Sequence, residues 1–232
     1  MSKDTSLDAL YDNTVNYYNQ RPILNDAPRR KPATPTKPSP KVSEENAQMD
    51  LSLGEAVCGK RVLEVACGSG SQTDKAAKVA ESVLATDVTP NNIEIATQNV
   101  KRSNVTFMLC DAFDLSPVNG RFSAGLASGF FHICPSARYN AFLSGLHAKL
   151  EPRSTVFMAS TRPVSYDARS RSFRREGEPD QYMIRELSDG SEYVIVTNDF
   201  TKEVLTRIFE PYATSLEVHC GDFLWWVTYV TK

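Results

Sequence analysis

Glu64, Ala66, Gly68 and Gly70 alternate along one short loop, and two further acids, Asp87 and Asp111, close later apolar runs. Those residue types in that order suit the binding of a nucleoside-bearing cofactor. Gly68 and Gly70 tolerate the backbone angles of a sharp turn and lack a Cβ, so a ligand can lie against bare backbone. Ala66 is small where the loop begins, and Ser69 stands between the two glycines. Asp87 lies 17 residues beyond Gly70, where an acid can accept both hydroxyls of a ribose. Asp111, in Leu109-Cys110-Asp111-Ala112-Phe113, offers a carboxylate to the exocyclic amino group of an adenine, and Ala112 offers a backbone N–H to a ring nitrogen. Each acid alone is a common loop residue. Three such features at successive strand ends form one side of a site. A dinucleotide loop would read G-x-G-x-x-G; here Thr73 occupies the third glycine position, which argues against a nicotinamide cofactor.

Other side chains have two readings each. His132 has an ordinary pKa near neutrality and follows the fourth strand, so it is a candidate general base or orienting residue; beside Phe131 it equally suits packing. His147, within a helix, and His219, beside a strand, read as structural. Trp225, Trp226 and Tyr229 divide between the two faces of the last strand, one facing the core and the other able to stack on a flat or cationic substrate. Arg162, Arg169, Arg171, Arg174 and Arg175 crowd one stretch, as a solvated loop answered by Glu176, Glu178 and Asp180 or as a substrate wall.

The elements that would position these groups follow from periodicity. Leu7, Leu10, Tyr11, Val15 and Tyr18 share a helical face, and Pro22 ends that helix. Residues 26–48 carry five prolines among basic and polar residues and read as a linker, with a second helix over about 44–57. From Lys60, strands at 61–66, 83–87, 105–110, 122–128 and 155–160 alternate with helices, which implies a doubly wound α/β sheet. Thr89-Pro90 reads as a helix start. Tyr182–Leu187 and Tyr193–Thr197 flank an Asp-Gly turn and read as a hairpin. The strands 215–220 and 223–230 are separated only by Gly221-Asp222, so they pair antiparallel. The expected organisation is an N-terminal cap helix (1–25), a proline-rich linker (26–48) and one main domain (49–232).

Composition narrows the classes. A chain of 232 residues with 41% hydrophobic and 23% charged residues suits one globular domain with a small appendage. Its net charge of −2 gives no general positive field for nucleic acid or a membrane surface, although residues 21–42 are locally basic. Five cysteines with no metal-ligand spacing read as free thiols in a reducing cytoplasm. The polar N-terminus has no signal-peptide core, and no run of 18 apolar residues spans a membrane. No metal is expected.

The run Gly59-Lys60-Arg61-Val62-Leu63-Glu64-Val65-Ala66-Cys67-Gly68-Ser69-Gly70 resembles motif I of class I, Rossmann-like methyltransferases. Asp87 with Val88 beside it is similar to their ribose-binding acid, and Asp111-Ala112 to their adenine-binding pair. Leu150-Glu151-Pro152 resembles the turn before their fifth strand, although Arg153-Ser154 stands where glycines are common. The resemblance implies a seven-stranded sheet of order 3-2-1-4-5-7-6 with the last strand antiparallel, and S-adenosyl-L-methionine as cofactor. It implies that Glu64 approaches the methionine amino group and that the Gly68–Gly70 backbone flanks the methionine portion. It further implies that Ser128-Gly129-Phe130-Phe131-His132 lines the crevice near the reactive methyl. Tyr18-Asn19-Gln20-Arg21 is similar to the family's Tyr-x-x-Arg closure, with Tyr11 and Tyr17 nearby. Substrate contact is therefore expected from Tyr11, Tyr18, Arg21, Phe131 and Trp225. The activity implied is methylation of N, O or S on a small molecule by a cytoplasmic monomer or homodimer. Protein or peptide methylation is the alternative within the class, and an inactive cofactor-binding regulator the alternative outside it.

Overall fold

The computed structural model describes residues 6–23, 40–162 and 171–232. Residues 26–39 of the expected linker and Arg169 lie outside the described residues.

In chain order the elements are α1 (Leu7–Ile23), α2 (Pro40–Val57), β1 (Arg61–Val65), α3 (Ser71–Ala77), β2 (Ser82–Asp87), α4 (Pro90–Asn99), β3 (Val105–Leu109) and β4 (Phe122–Ser128). There follow α5 (Tyr139–Ala148), β5 (Leu150–Thr161), β6 (Arg171–Arg174), β7 (Gln181–Glu186), β8 (Glu192–Val196), α6 (Lys202–Phe209), β9 (Ala213–Cys220) and β10 (Leu224–Thr231). The main sheet has seven strands in the order β3-β2-β1-β4-β5-β10-β9. Strands β1 to β5 pair parallel, and β10 is antiparallel to both of its neighbours. This is the expected order, with β10 as the reversed strand.

Period-two alternation sends adjacent residues of each buried strand to opposite faces, and two apolar layers result. Leu63, Val65 and Trp225 pack with Phe142, Leu146, Leu205 and Phe209 on the side of α5 and α6. Val62, Ala85 and Trp226 pack with Leu53, Val57, Ala76 and Ala96 on the side of α2, α3 and α4. The parallel strands all end at one edge, and the loops leaving them build the site.

Three expectations change. Pro22 lies within the last turn of α1 rather than ending it, since the helix runs to Ile23. Residues 40–48 are helical rather than linker, because α2 starts at Pro40, whose fixed φ and missing N–H are tolerated in a first turn. That early start has a purpose. The Glu45 carboxylate accepts the backbone N–H groups of Asp222, Phe223 and Leu224 at 2.8, 3.1 and 2.9 Å, tying α2 to the β9–β10 turn. Thirdly, Leu150-Glu151-Pro152 is the irregular start of β5 rather than a turn. Its pairing with β4 slips between Phe122 and Ala124, and Arg153 takes a left-handed φ of 58°.

The hairpin expected at 182–197 exists as β7 and β8, and β6 joins it in a separate three-stranded sheet. Leu10 of α1 packs on Tyr182 and Val196, and Tyr17 on Met183, Leu187 and Ile195. These two helix residues lie seven apart, two turns along one stripe. The small sheet is stitched to the main domain by a buried polar network. The Asp180 carboxylate accepts Ser136 N–H at 3.0 Å and the Asn198 amide at 2.9 Å, while Asn198 N–H donates to the His132 carbonyl at 2.7 Å. The cap is therefore composite: α1 rides on a sheet encoded more than 160 residues later.

Candidate active site

The loop after β1 turns sharply because Ala66, Gly68 and Gly70 all adopt positive φ, 55°, 56° and 83°. At Gly68 a Cβ would meet nothing within 4 Å, so the loop leaves open space where a side chain would otherwise project. Gly70 differs: a Cβ there would sit 2.8 Å from Val100 Cγ2 and 3.2 Å from Ala96 Cβ. One glycine faces a cradle, and the other lets α4 approach.

Asp87, at the end of β2, braces that loop. Its Oδ2 accepts Gly68 N–H at 2.9 Å, and its Oδ1 accepts Thr89 N–H at 2.9 Å and the Thr89 hydroxyl at 2.7 Å. Thr89 therefore gives its hydroxyl to Asp87 instead of capping α4. Glu64 is buried in β1 and accepts the Thr73 hydroxyl at 2.6 Å. Burial pushes its carboxyl up to about 8, against the lowering effect of Thr73 and with a smaller rise from Asp87. Thr73, noticed in the sequence only as a missing glycine, is thus the partner that a buried carboxyl demands.

These groups border a cavity of about 340 Å³, within the roughly 300–1,000 Å³ usual for small-molecule sites. Of the residues expected to hold the cofactor, Glu64, Ala66, Gly68, Ser69, Asp87, Val88, Ala112, Ser128 and Gly129 line it. Its roof is α1, through Tyr11, Thr14, Val15 and Tyr18. Those positions form the i, i+3, i+4, i+7 stripe next to the one that grips the small sheet. Gly70 and Asp111 stand beside the lining residues rather than among them. Gln72 also lines the cavity, and its Oε1 is buried without a hydrogen-bond partner among the described residues. It escaped the sequence reading because a polar residue at a helix start usually faces water.

Several expected contacts are not found. His132 is buried, shares a 2.8 Å hydrogen bond between Nδ1 and the Ser160 hydroxyl, and does not line the cavity. Burial, helped by nearby Arg185, holds its pKa down at about 4, which makes the imidazole a weak base. Phe131 has no exposed surface and stacks on Tyr139 at 4.5 Å. Trp225 is equally buried against Phe131 and Phe200. The cause is a 3-10 turn over Phe131–Ile133. Residues three apart share a face in such a turn, so Phe130 and Ile133 reach the cavity while Phe131 and His132 face inward. Arg21 places its guanidinium 6.0 Å from the Tyr18 ring centre and is not a lining residue. Of the arginine-rich stretch, Arg162 pairs with Asp199, Arg171 with Glu192 and Arg175 with Glu178, so these charges are answered by neighbouring acids.

The buried ionisable groups predict a pH profile of stability. His132 and His147 are both held down at about 4 from 6.5, chiefly by burial. Between those values the unfolded chain binds more protons, so stability rises with pH. Glu64 works in the opposite sense between 4.5 and about 8, where the folded chain holds the extra proton and stability falls with pH. Two histidines outweigh one glutamate below about pH 6.5, and Glu64 acts alone above it. The thermal midpoint should therefore peak near pH 6.5 and fall on both sides up to pH 8; a steady rise from pH 6.5 to 8 would contradict this assignment.

Residues 62–153 match the family model described as a methyltransferase domain. Those residues are a methyltransferase domain, set within the strand order of the class I, S-adenosylmethionine-dependent methyltransferase fold. No curated protein matches this chain in sequence. Among solved structures it is similar to one described as a DhpI–SAM–HEP complex, with 23% identity, a TM-score of 0.75, and 97% of this chain and 99% of that chain covered. A DhpI–SAH complex gives 21% identity and a TM-score of 0.72, with 94% and 95% covered. The N-methyltransferase NodS from Bradyrhizobium japonicum WM9, in complex with S-adenosyl-L-homocysteine, gives 18% identity and a TM-score of 0.63, with 95% and 99% covered. Each of these likenesses covers at least 94% of this chain, and they concern the fold.

Proposed function

We propose that this methyltransferase transfers the sulfonium methyl of S-adenosylmethionine to N, O or S of a small molecule seated beneath α1. The observation that carries this reading is the single cavity that has the Gly68 loop as floor and the Tyr11-Thr14-Val15-Tyr18 stripe as roof. The residues present suit the cofactor. Gly68 leaves a cradle that a Cβ would fill, Gln72 Oε1 is a buried acceptor in need of a donor, and two carboxylates, Glu64 and Asp87, border the space.

The roles then follow the chemistry of each side chain. Glu64 receives the methionine ammonium, which would draw off the proton that burial places on its carboxyl. The backbone around Gly68, Ser69 and Gly70 flanks the methionine portion, and Asp87, with Val88 beside it, holds the ribose. Asp111 accepts from the adenine amino group, and Ala112 N–H donates to a ring nitrogen. Ser128 and Gly129 border the region of the methyl. The cofactor supplies an already activated methyl group, so the protein's task is to align the acceptor and exclude water. Tyr11, Tyr18, Phe130 and Ile133 do this through apolar contact. The neighbours described with a third component beside the cofactor, or as an N-methyltransferase, support a small acceptor.

A general base is needed only where the acceptor stays protonated at neutral pH. His132→Gln should leave turnover within about threefold of the parent, because a buried neutral imidazole bonded to Ser160 contributes packing rather than proton transfer. A fall of about 100-fold or more, with cofactor affinity unchanged, would restore His132 as the base. Turnover is measured with labelled S-adenosylmethionine against a panel of small amines, phenols, acids, thiols and heterocycles. Methyl transfer to at least one of them supports the proposal. Tight cofactor binding with no transfer to any panel member or peptide would favour a regulator.

A further inference from the structure

One cation outside the cavity lining joins its roof to its wall. The 3-10 turn Ser136–Arg138 leads into α5, and Ser136 N–H donates to the buried Asp180 carboxylate at 3.0 Å. From that anchor the Arg138 guanidinium reaches 5.2 Å from the Tyr11 ring centre and 5.1 Å from that of Phe113. The two rings meet edge-on at 5.4 Å and 81°. Phe113 also packs on Phe130, with ring centres 5.8 Å apart. Tyr11 lines the cavity from α1 and Phe130 from the segment after β4, whereas Phe113 is not a lining residue. Phe113 is therefore the joint between roof and wall, and Arg138 lies over it. The same joint is tied to the loop after β3, since Phe113 N–H donates to Asp111 Oδ1 at 2.8 Å. Arg138 also pairs with Asp8 of α1 at 2.5 Å.

We infer that Arg138 is a positioning residue that latches roof to wall through Tyr11 and Phe113. The latch sets how fast the cofactor passes in and out beneath α1. This rests on the reading of the cavity as the S-adenosylmethionine site. Two contacts of Arg138 compete for the role, and exposure decides between them. The Asp8 side chain is 89% exposed, and an ion pair to such a group gains little over hydration. The Arg138 side chain is only 21% exposed, so it meets the two rings partly out of water, where cation–π attraction is stronger. A planar guanidinium also stacks on a ring, which a compact ammonium does not. All of these contacts join protein groups to one another. The latch therefore resists entry as much as exit, and loosening it speeds both while leaving affinity nearly unchanged.

Surface plasmon resonance with S-adenosylhomocysteine and the full chain reads both rates. Arg138→Gln should raise association and release about tenfold each, with the dissociation constant within about threefold of the parent. Arg138→Lys keeps the charge and the Asp8 pair, so it should raise both by only about threefold. It also keeps the inference testable should Arg138→Gln fail to fold. Asp8→Asn should leave both rates within about twofold of the parent. Three results overturn the inference. Unchanged rates in Arg138→Gln or Arg138→Lys would leave Arg138 a purely structural residue. Faster release with unchanged association would mean that it supports the bound ligand instead of gating its passage. An effect of Asp8→Asn equal to that of Arg138→Gln would put the latch on the exposed ion pair. A parent chain that binds no S-adenosylhomocysteine would sink the cofactor reading itself, whatever Arg138 does.

Discussion

Replacing Asp87 with alanine will weaken S-adenosylhomocysteine binding on the order of 100-fold or more and destabilise the free protein by about 2–4 kcal/mol. Both effects come from one carboxylate. In the free protein Asp87 accepts the Gly68 N–H, the Thr89 N–H and the Thr89 hydroxyl, all at 2.7–2.9 Å. Alanine strands those buried donors, and leaving a buried donor unpaired costs about 1–3 kcal/mol. On the proposed reading the ribose diol then loses its acceptor, and the Gly68 turn loses the brace that shapes it. Denaturant unfolding and calorimetric titration measure the two separately. Asp87→Asn retains the shape and one acceptor oxygen, so it should fall between alanine and the parent in both. A stability loss with ligand affinity within about threefold of the parent would mean that Asp87 braces the loop without holding the ribose.

Gly70→Ala should destabilise the fold by about 2–4 kcal/mol, although it adds one methyl group. Two costs combine. The residue sits at φ 83°, where an L side chain strains, and its Cβ would lie 2.8 Å from Val100 Cγ2 and 3.2 Å from Ala96 Cβ. Val100→Ala removes the shorter contact and leaves the backbone strain and the Ala96 contact. The double variant should therefore recover part of the loss, on the order of 1 kcal/mol, and not all of it. Recovery of the whole loss would show that φ carries no cost there; no recovery would place the clash on Ala96 and the helix backbone. Gly68 offers the contrast, since its Cβ direction is open.

The strand-end features were legible because their chemistry is local. A buried strand, a turn that needs left-handed backbone, and an acid at the next strand end are each written within a few residues, so Glu64, Gly68 and Asp87 could be placed without tertiary information. The doubly wound sheet followed from the same alternation of strands and helices, and its strand order from the resemblance to class I methyltransferases. The roof was not legible. The periodicity of α1 marks an apolar face, but the Tyr11-to-Tyr18 stripe faces the cavity only because Leu10 and Tyr17 grip β7 and β8, far away in the chain. The segment after β4 misled for a different reason. Its sequence suggests an exposed crevice wall, and a single 3-10 turn sends Phe131 and His132 inward while leaving Phe130 and Ile133 on the wall. Trp225 and Trp226 were correctly divided between two faces, but α2 and the α5–α6 layer cover both. Thr73 and Gln72 became informative only once Glu64 and the cavity had positions, since each matters through what it faces.

The central claim is that the cavity between the Gly68 loop and α1 holds S-adenosylmethionine. Calorimetric titration of the full chain with S-adenosylhomocysteine, repeated on Asp87→Asn, tests it most directly. The expected result is one site per chain with a dissociation constant around the micromolar range, about −8 kcal/mol, weakened at least about tenfold in the variant. Absence of binding to the parent protein at about 1 mM ligand, or equal affinity for parent and variant, would contradict it.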